Sequence, residues 1–227
     1  MEAQNALYVV ASPIGNLADI SYRAVEVLRS VNWIVSEDTR QTKKLLDRYS
    51  ITTPLKSYRD QIHFKIADEL INKLKAGASI ALVSDSGTPL ISDPGYKLVR
   101  SAVAAGIKVV PIPGPSAVIS ALSASGLPTD KFSFLGFLPK SSGQRLKLLK
   151  GYGALDSTLV VYESPNRLAR LLEEIMAALG DREVCVASEM TKLFESLKVG
   201  KASQLLAGIG TKRQRGEYTV LIAKMVY

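Results

Sequence analysis

The first half of the chain alternates short apolar runs with longer amphipathic segments. Each apolar run has the length of a β-strand, and each amphipathic segment repeats apolar residues at the spacing of a helix face. Strands are predicted at Leu7–Ala11, Trp33–Val35, Ile80–Val83 and Val109–Ile112. Helices are predicted to begin near Ser21 and Thr39 and to span Ile62–Ala76 and Tyr96–Ala105, and Thr39 is expected to cap the second of them. This alternation is typical of parallel βαβ units with helices packed over the sheet.

The second half of the chain has a more mixed pattern. Its helices are predicted at Ser116–Ser125, Gln144–Lys150 and Asn166–Leu179. Its strands are predicted at Phe132–Phe137, Thr158–Tyr162, Val184–Ala187, Leu197–Val199 and Tyr218–Ile222. The last three strands have no predicted helix between them, which favours antiparallel pairs in an α+β domain.

The two patterns meet at a stiff segment, Pro111–Pro115, which has three prolines in five residues. We take this segment as the domain boundary. The sequence therefore predicts an α/β protein of two domains. Residues 1–112 form a mostly parallel sheet with its helices, and residues 113–227 form a mixed α+β domain.

Composition narrows the classes of function. The net charge of +8 and the pI of about 9.5 point towards a polyanionic partner. His63 is the only histidine, and we interpret it as an ordinary surface or helix-end residue. A His-rich zinc site and a Ser-His-Asp triad are thereby nearly excluded, and no metal is expected. Cys185 is the only cysteine and lies in an apolar run, which favours a buried, inert thiol.

The same composition favours a cytoplasmic protein. A single cysteine cannot form an internal disulfide. No apolar run reaches the roughly 18 residues that a membrane-spanning helix needs. The first residues lack the basic region of a signal peptide.

Five polar segments follow predicted strands or open predicted helices. They are Ser12–Asn16, Glu37–Arg40, Val83–Gly95, Pro113–Ala117 and Glu163–Arg167. In open α/β sheets, ligands bind at the carboxyl ends of the strands, so these loops are candidates for a binding site. Neither a G-x-G-x-x-G fingerprint nor a Walker loop is present.

Each of these segments also has a purely structural interpretation. The first is a simple βα turn. The acids of the second suit the first turn of a helix. For Asp93 we prefer a helix cap, and Ser116 has the same alternative. For Arg167 the default is an ion pair with Glu163.

Six segments in a fixed order carry a resemblance to one family. They read LYVVASPIGNLADIS, SEDTRQTKKLL, ALVSDSGTPLISDPGYKLV, VVPIPGPSAVISALSASGLPTDKFSFLGFLP, TLVVYESPNRL and RGEYTVLI. The chain resembles the ribosomal RNA small-subunit cytidine 2'-O-methyltransferases, a branch of the tetrapyrrole-methylase superfamily. The resemblance implies a two-domain class III methyltransferase with S-adenosylmethionine in a cleft between the domains. It also implies a homodimer that acts on ribosomal RNA or the small ribosomal subunit.

The resemblance also implies which residues contact the cofactor. Members of the family that act on tetrapyrroles have an aspartate where this chain has Thr88, so Asp85 is included as the alternative carboxylate. Ser188 stands where the family usually has arginine, and the segment from Ser57 to Gln61 departs from the family pattern. The implied contacts are Pro13, Asp85, Ser86, Gly87, Thr88, Ile91, Ser116, Ala117, Glu163 and Met190.

Methyl transfer from a sulfonium is an in-line displacement that depends above all on the alignment of the reactants. A protein with a single histidine can therefore catalyse it. A ribose hydroxyl is a weak nucleophile, so a side chain that takes its proton would help. Asp85, Glu37 and Lys192 are the candidates, and the sequence does not choose between them.

Basic residues mark the candidate RNA surface. The segment from Lys131 to Leu155 contains no acidic residue, and Arg40 and Lys43 are further candidates. For any one of these residues a solvated helix face remains the simpler interpretation. The candidates in the basic segment are Lys140, Arg145, Lys147 and Lys150.

Two other functions stay open at this point. One is a C-methyltransferase that acts on a corrin or porphyrin precursor, since tetrapyrroles are also anionic. The other is an RNA-binding protein that has lost the cofactor. The segments at Ser36–Arg40 and Glu163–Arg167 favour the RNA branch, and the retained loops argue against loss of the cofactor.

Overall fold

Five parallel strands form the sheet of the first half of the protein, in the order β3-β2-β4-β1-β5. The computed structural model describes residues 5–58, 63–209 and 216–225, without the side chains of 63–65. The strands are β1 (Leu7–Val10), β2 (Trp33–Ser36), β3 (Leu55–Ser57), β4 (Ile80–Val83) and β5 (Val109–Ile112). Because all five run the same way, their carboxyl ends meet at one edge of the sheet.

Among the described residues, four helices cover this sheet. They are α1 (Tyr22–Ser30), α2 (Thr39–Arg48), α3 (His63–Lys75) and α4 (Tyr96–Ala104). Leu28 of α1 and Leu45 of α2 belong to the apolar cluster on one face of the sheet. Leu70 of α3 and Leu98 of α4 belong to the cluster on the other face. The parallel sheet, sandwiched between two helix layers, confirms the prediction for this half of the chain.

The second half contains a mixed sheet in the order β6-β7-β10-β8-β9. Only β6 and β7 are parallel, and the other neighbours are antiparallel. The strands are β6 (Phe132–Phe137), β7 (Thr158–Glu163), β8 (Glu183–Ser188), β9 (Ser196–Lys201) and β10 (Tyr218–Ile222). The mixed α+β architecture expected for this half is confirmed.

In the described part of the second half, four helices pack on the mixed sheet. They are α5 (Ala117–Ser125), α6 (Ser142–Gly153), α7 (Leu168–Leu179) and α8 (Ala202–Ala207). Leu122 of α5 packs with Val160 and Cys185 on one face. Leu149 of α6 and Leu172 of α7 pack on the other face. Burial raises the pKa of Cys185 to about 11, as expected for an unreactive thiol.

The chain divides into two compact units, Met1–Ser116 and Ala117–Tyr227. The boundary predicted after Ile112 and this division both lie in or beside the proline-rich segment. Pro111 occupies β5, which is an edge strand beside β1 in the described sheet, and an edge strand tolerates the missing N–H. Within the described part of the chain, no helix is long and apolar enough to cross a bilayer.

The element predictions fail in four places. Strand β3 was missed, because it has three residues and lies at the edge of the sheet. Helix α8 was missed because it is only six residues long. Thr39 does not cap α2, since the Asp38 side chain accepts a hydrogen bond from the Arg40 N–H instead. Asp93 does not cap α4, whose N-cap is Gly95, without a side-chain bond.

The predicted start of α3 at Ile62 falls outside the described residues. The same holds for most of the segment Ser57–Gln61, of which only Ser57 and Tyr58 are described.

Candidate functional site

The loops that follow β1 and β4 are joined by a two-way backbone contact. The Ser12 N–H donates to the Gly87 carbonyl oxygen at 2.8 Å, and the Gly87 N–H donates to the Ser12 oxygen at 3.2 Å. The Ser12 hydroxyl, which is buried, also donates to the Ser84 carbonyl at 3.2 Å. Gly87 has a φ of +73°, which favours glycine at this position. Ser12 was not among the predicted site residues, although it lies in a predicted loop.

The loop that follows β5 approaches the same place. A Cβ atom on Gly114 would lie 2.9 Å from the Ala11 Cβ, so only glycine fits without a shift. A Cβ atom on Gly87 would lie 3.4 Å from Ile14 Cγ2 and 3.7 Å from the Pro115 carbonyl oxygen. Three of the predicted loops therefore meet at the carboxyl edge of the parallel sheet. Buried Pro13 and half-buried Ser116 belong to these loops.

The long loop between β4 and α4 carries an unusual backbone. Leu90 and Ser92 have φ angles of +75° and +61°, a region that side chains other than glycine rarely adopt. Such conformations persist where the surrounding structure imposes them, often at functional sites. Thr88 is half-buried in this loop, whereas Ser86 and Ile91 are exposed.

Two of the three proton-acceptor candidates lie on neighbouring loops of this edge. The Asp38 N–H donates to Asp85 Oδ1 at 3.1 Å, which ties the loop after β4 to the start of α2. Glu37 directly precedes Asp38, and its carbonyl oxygen accepts a hydrogen bond from the Ser57 hydroxyl at 3.5 Å. Asp85 is exposed, so its carboxylate is accessible at the edge.

Lys192, the third candidate, belongs to the second unit. Its Nζ lies 3.1 Å from Glu189 Oε1. Met190 lies between these two residues and packs against the same apolar cluster as helix α5, which begins at Ala117. Glu189 and Thr191 have φ angles of +50° and +66°, so this connection between β8 and β9 also departs from ordinary backbone.

Glu163 ends strand β7 and is only 1% exposed. Its Oε1 accepts hydrogen bonds from the Ser164 N–H at 2.7 Å and the Ser164 hydroxyl at 3.2 Å. Arg167 Nε lies 3.2 Å from the same oxygen, which confirms the expected ion pair. Glu163 Oε2 is buried without a hydrogen-bond partner among the described residues. A buried polar atom without a hydrogen-bond partner costs about 1–3 kcal/mol of stability. This oxygen can therefore still gain from accepting a hydrogen bond.

Arg145 is not part of an exposed basic surface, and this prediction was wrong. Its side chain is 2% exposed, and its Nη2 donates to Glu174 Oε1 at 2.7 Å. Its Nη1 donates to the carbonyl oxygens of Pro139 and Lys140, both at 3.2 Å. The sequence shows that Arg145 is positively charged, but it does not show that Glu174 lies beside it in the folded protein.

The other basic candidates fall into two groups. Arg40 and Lys43 are exposed but lie 2.7 Å from carboxylate oxygens of Asp38 and Asp47, which offset their charge. Lys140, Lys147 and Lys150 are exposed and form no salt bridge with any residue in the described ranges. Within the same ranges no cluster of three or more His, Cys, Asp or Glu side chains could hold a metal ion.

Comparison with known proteins links this chain to methylases. A family model described as tetrapyrrole (corrin/porphyrin) methylases matches residues 6–206. A Vibrio cholerae protein named ribosomal RNA small subunit methyltransferase I is 49% identical over 219 residues, which cover 95% of this chain and 76% of the relative. A Thermotoga maritima protein of the same name is 45% identical over 217 residues, covering 96% and 97% of the two chains.

Solved structures with the same fold are more distant in sequence. A crystal structure of diphthine synthase aligns with a TM-score of 0.75 at 16% identity, covering 97% of this chain and 91% of the other. A uroporphyrin-III-C-methyltransferase from Thermus thermophilus aligns with a TM-score of 0.64 at 18% identity, covering 96% and 94%. At these identities the likeness shows the fold alone.

Proposed function

Since this chain belongs to the tetrapyrrole (corrin/porphyrin) methylase family and, within it, to the proteins named ribosomal RNA small subunit methyltransferase I, we propose that it methylates the 2'-hydroxyl of a cytidine ribose in small-subunit ribosomal RNA. It is an S-adenosylmethionine-dependent RNA methyltransferase. The main support for ribosomal RNA as the substrate is the sequence identity of 45–49% with relatives of that name. The resemblance of the sequence motifs to the cytidine 2'-O-methyltransferases supports the position on the ribose.

The residues at the strand ends fit S-adenosylmethionine. Gly114 and Gly87 let the loops after β1, β4 and β5 lie close together, because a Cβ on Gly114 would meet the Ala11 side chain and Gly87 has a left-handed φ of +73°. The polar backbone groups of these loops are proposed to bind the cofactor. The free Oε2 of Glu163 offers a buried acceptor, and the Asp85 carboxylate offers a negative charge for a cation. The cofactor, when bound, supplies a methyl group on a positively charged sulfur.

The family resemblance supplies the residues proposed to hold the cofactor. In the first unit they belong to the loops after β1, β4 and β5, and in the second unit to the start of α5, the end of β7 and the connection after β8. They are Pro13, Asp85, Ser86, Gly87, Thr88, Ile91, Ser116, Ala117, Glu163 and Met190.

The chain's own contribution to the reaction is positioning and proton removal. Alignment of two reactants can supply roughly 7–11 kcal/mol of a barrier. We favour Asp85 as the group that accepts the 2'-hydroxyl proton, because it is an exposed carboxylate held by the Asp38 N–H at 3.1 Å. Glu37 is the alternative on the same edge. Lys192 is a weaker one, because its Nζ pairs with Glu189 Oε1 at 3.1 Å.

Three lysines are proposed to contact RNA phosphates. Lys140, Lys147 and Lys150 project from the segment around α6 without salt bridges among the described residues, so their charges remain available. Arg40 and Lys43 are weaker candidates because of their carboxylate partners. A homodimer, implied by the family, is proposed as the working assembly.

Mapping of ribose methylation on ribosomal RNA tests the substrate directly. Small-subunit RNA from cells with and without the gene is compared, and the purified protein is then added back with S-adenosylmethionine. One cytidine should lose its 2'-O-methyl group without the gene and regain it after the addition. An unchanged methylation map would overturn the proposed function. Methylation of a corrin or porphyrin precursor instead would establish the alternative.

A further inference from the structure

Helix α6 presents two different faces. Arg145, Leu149 and Gly153 follow one another at intervals of four residues and form the buried face against α7. A second set, which includes Gln144, Leu148 and Gly151, lies on another side of the helix. The helix therefore carries apolar residues on two sides, with Leu149 on the buried face and Leu148 on the second face.

The second face lines an open groove of about 460 Å³. Pro139, Lys147, Leu148, Tyr152 and Leu155 are among the residues that line it. Tyr152 is 43% exposed and Leu155 49% exposed, which is unusual for large apolar side chains so close together. Apart from its chain neighbours and the backbone of its own helix, no atom lies within 4 Å of the place where a Gly151 Cβ would stand, so the groove is open at Gly151.

The charge around this groove is positive. Lys147 lines it, and Lys140 and Lys150 lie nearby in the chain. No acidic residue occurs between Lys131 and Leu155, and Asp156, the next one, is held by Lys131 and Lys224. Glu174 neutralises Arg145 from the interior, so the exposed charge comes from the lysines.

We propose that this groove binds an unpaired segment of RNA, with a base stacked on Tyr152 and a phosphate contacted by Lys147. This inference rests on the proposed function and deepens it by naming the form of RNA that is recognised. Aromatic side chains beside lysines are the usual means of holding single strands, because every base has a face that stacks. A duplex hides those faces and would leave the apolar floor without a partner. A protein partner is less suitable, because charged residues are depleted at the centre of protein interfaces.

Fluorescence anisotropy with two probes tests the proposal. One probe is a labelled, unstructured pyrimidine-rich RNA of about 12 nucleotides, and the other is the same sequence paired with its complement. Tyr152→Ala should weaken binding of the single strand by about 5- to 150-fold, the range expected from loss of one stacked base. Tyr152→Phe keeps the ring and should bind within about 2-fold of the unmodified protein. Binding of the duplex should change little in either variant.

A pair of glycine variants separates the groove from the rest of the helix. Gly151→Leu fills the floor of the groove, and the open space around its Cβ lets the fold accept it. Gly143→Leu introduces the same side chain on the same helix, again into open space, but outside the groove lining. We expect loss of single-strand binding for Gly151→Leu only. Lys147→Ala should flatten the salt dependence of log K by about 0.7.

Unchanged single-strand affinity in both Tyr152→Ala and Gly151→Leu would overturn the proposal, and so would equal losses for the single strand and the duplex. A change of molecular mass in light scattering for these variants would assign the face to a protein interface instead. The proposed function is scored separately, by cofactor binding and methylation of small-subunit RNA by the unmodified protein. A wrong proposal for the groove can therefore be distinguished from a wrong proposal for the enzymatic function.

Discussion

Arg145 and Glu174 form a buried ion pair that holds α6 against α7. The Nη2 of Arg145 lies 2.7 Å from Glu174 Oε1, and the two side chains are 2% and 8% exposed. The Ser142 hydroxyl donates to the same carboxylate oxygen at 2.6 Å. The remaining Nη1 of Arg145 binds carbonyl oxygens of the loop between β6 and α6. The pair thus positions the helix that carries the proposed RNA groove.

Removal of one partner should therefore destabilise the second unit strongly. Glu174→Gln leaves the Arg145 guanidinium buried beside a neutral amide, which should lower the free energy of unfolding by about 3–5 kcal/mol. Replacement of both residues by methionine should cost less, because no unpaired charge remains. Urea unfolding followed by circular dichroism measures both variants. Equal losses for the single and the double replacement would contradict this account.

The same pair makes stability depend on pH. Burial acts to raise the pKa of Glu174, but the hydrogen bonds from Arg145 and Ser142 and the charge of Arg145 outweigh it, so the pKa lies below its usual value. A lowered carboxylate pKa contributes stability that is present above about pH 4.3 and is lost as the pH falls through the folded value. Unfolding free energies measured between about pH 3 and 6 should fall less steeply on acidification in the double-methionine variant. Parallel curves would show that other carboxylates dominate.

Thr88→Arg should abolish binding of S-adenosylmethionine. Thr88 is half-buried beside Gly87, where the loops after β1, β4 and β5 meet, so a long cation there would fill the space and repel the sulfonium. Isothermal titration calorimetry measures binding, and circular dichroism checks the fold. Thr52→Arg is the matched control, since Thr52 is exposed in the same unit. Normal affinity in Thr88→Arg would place the cofactor elsewhere.

Asp85→Asn should lower kcat by roughly 100- to 10,000-fold at saturating cofactor. Because the Asp85 carboxylate is also proposed to face the cation of the cofactor, the same change should weaken S-adenosylmethionine binding. The amide still accepts the Asp38 N–H through its oxygen, but it cannot take the proton of a ribose hydroxyl. Single-turnover methylation of small-subunit RNA measures the rate. Glu37→Gln and Lys192→Met are run beside it, and a larger loss in either one would move the role to that residue.

Light scattering of the purified protein should give twice the 24.5 kDa mass of one chain at micromolar concentration. The basis is the family to which the chain belongs. A monomer mass that persists as the concentration is raised would contradict the proposed homodimer.

The spacing of hydrophobic residues predicted most of the helices and strands. The strand predicted at Tyr218–Ile222 has those same bounds in the structure, where all five of its residues are buried. Helix caps were harder to predict. Asp38 and Thr39 are both good capping residues, and only the folded backbone decides which side chain reaches a free N–H.

The sequence by itself determined the βαβ alternation, the polar loops after the strands and the family motifs, because all three depend on residue type and local spacing. Tertiary structure decided which distant groups meet. Asp38 and Asp85 are 47 positions apart, yet the parallel order of β2 and β4 brings their loops to hydrogen-bond distance. From the sequence alone, Arg145 is one of several basic residues on a predicted helix. The packing of α6 on α7 buries it against Glu174, since a charge removed from water is stable only beside an opposite one.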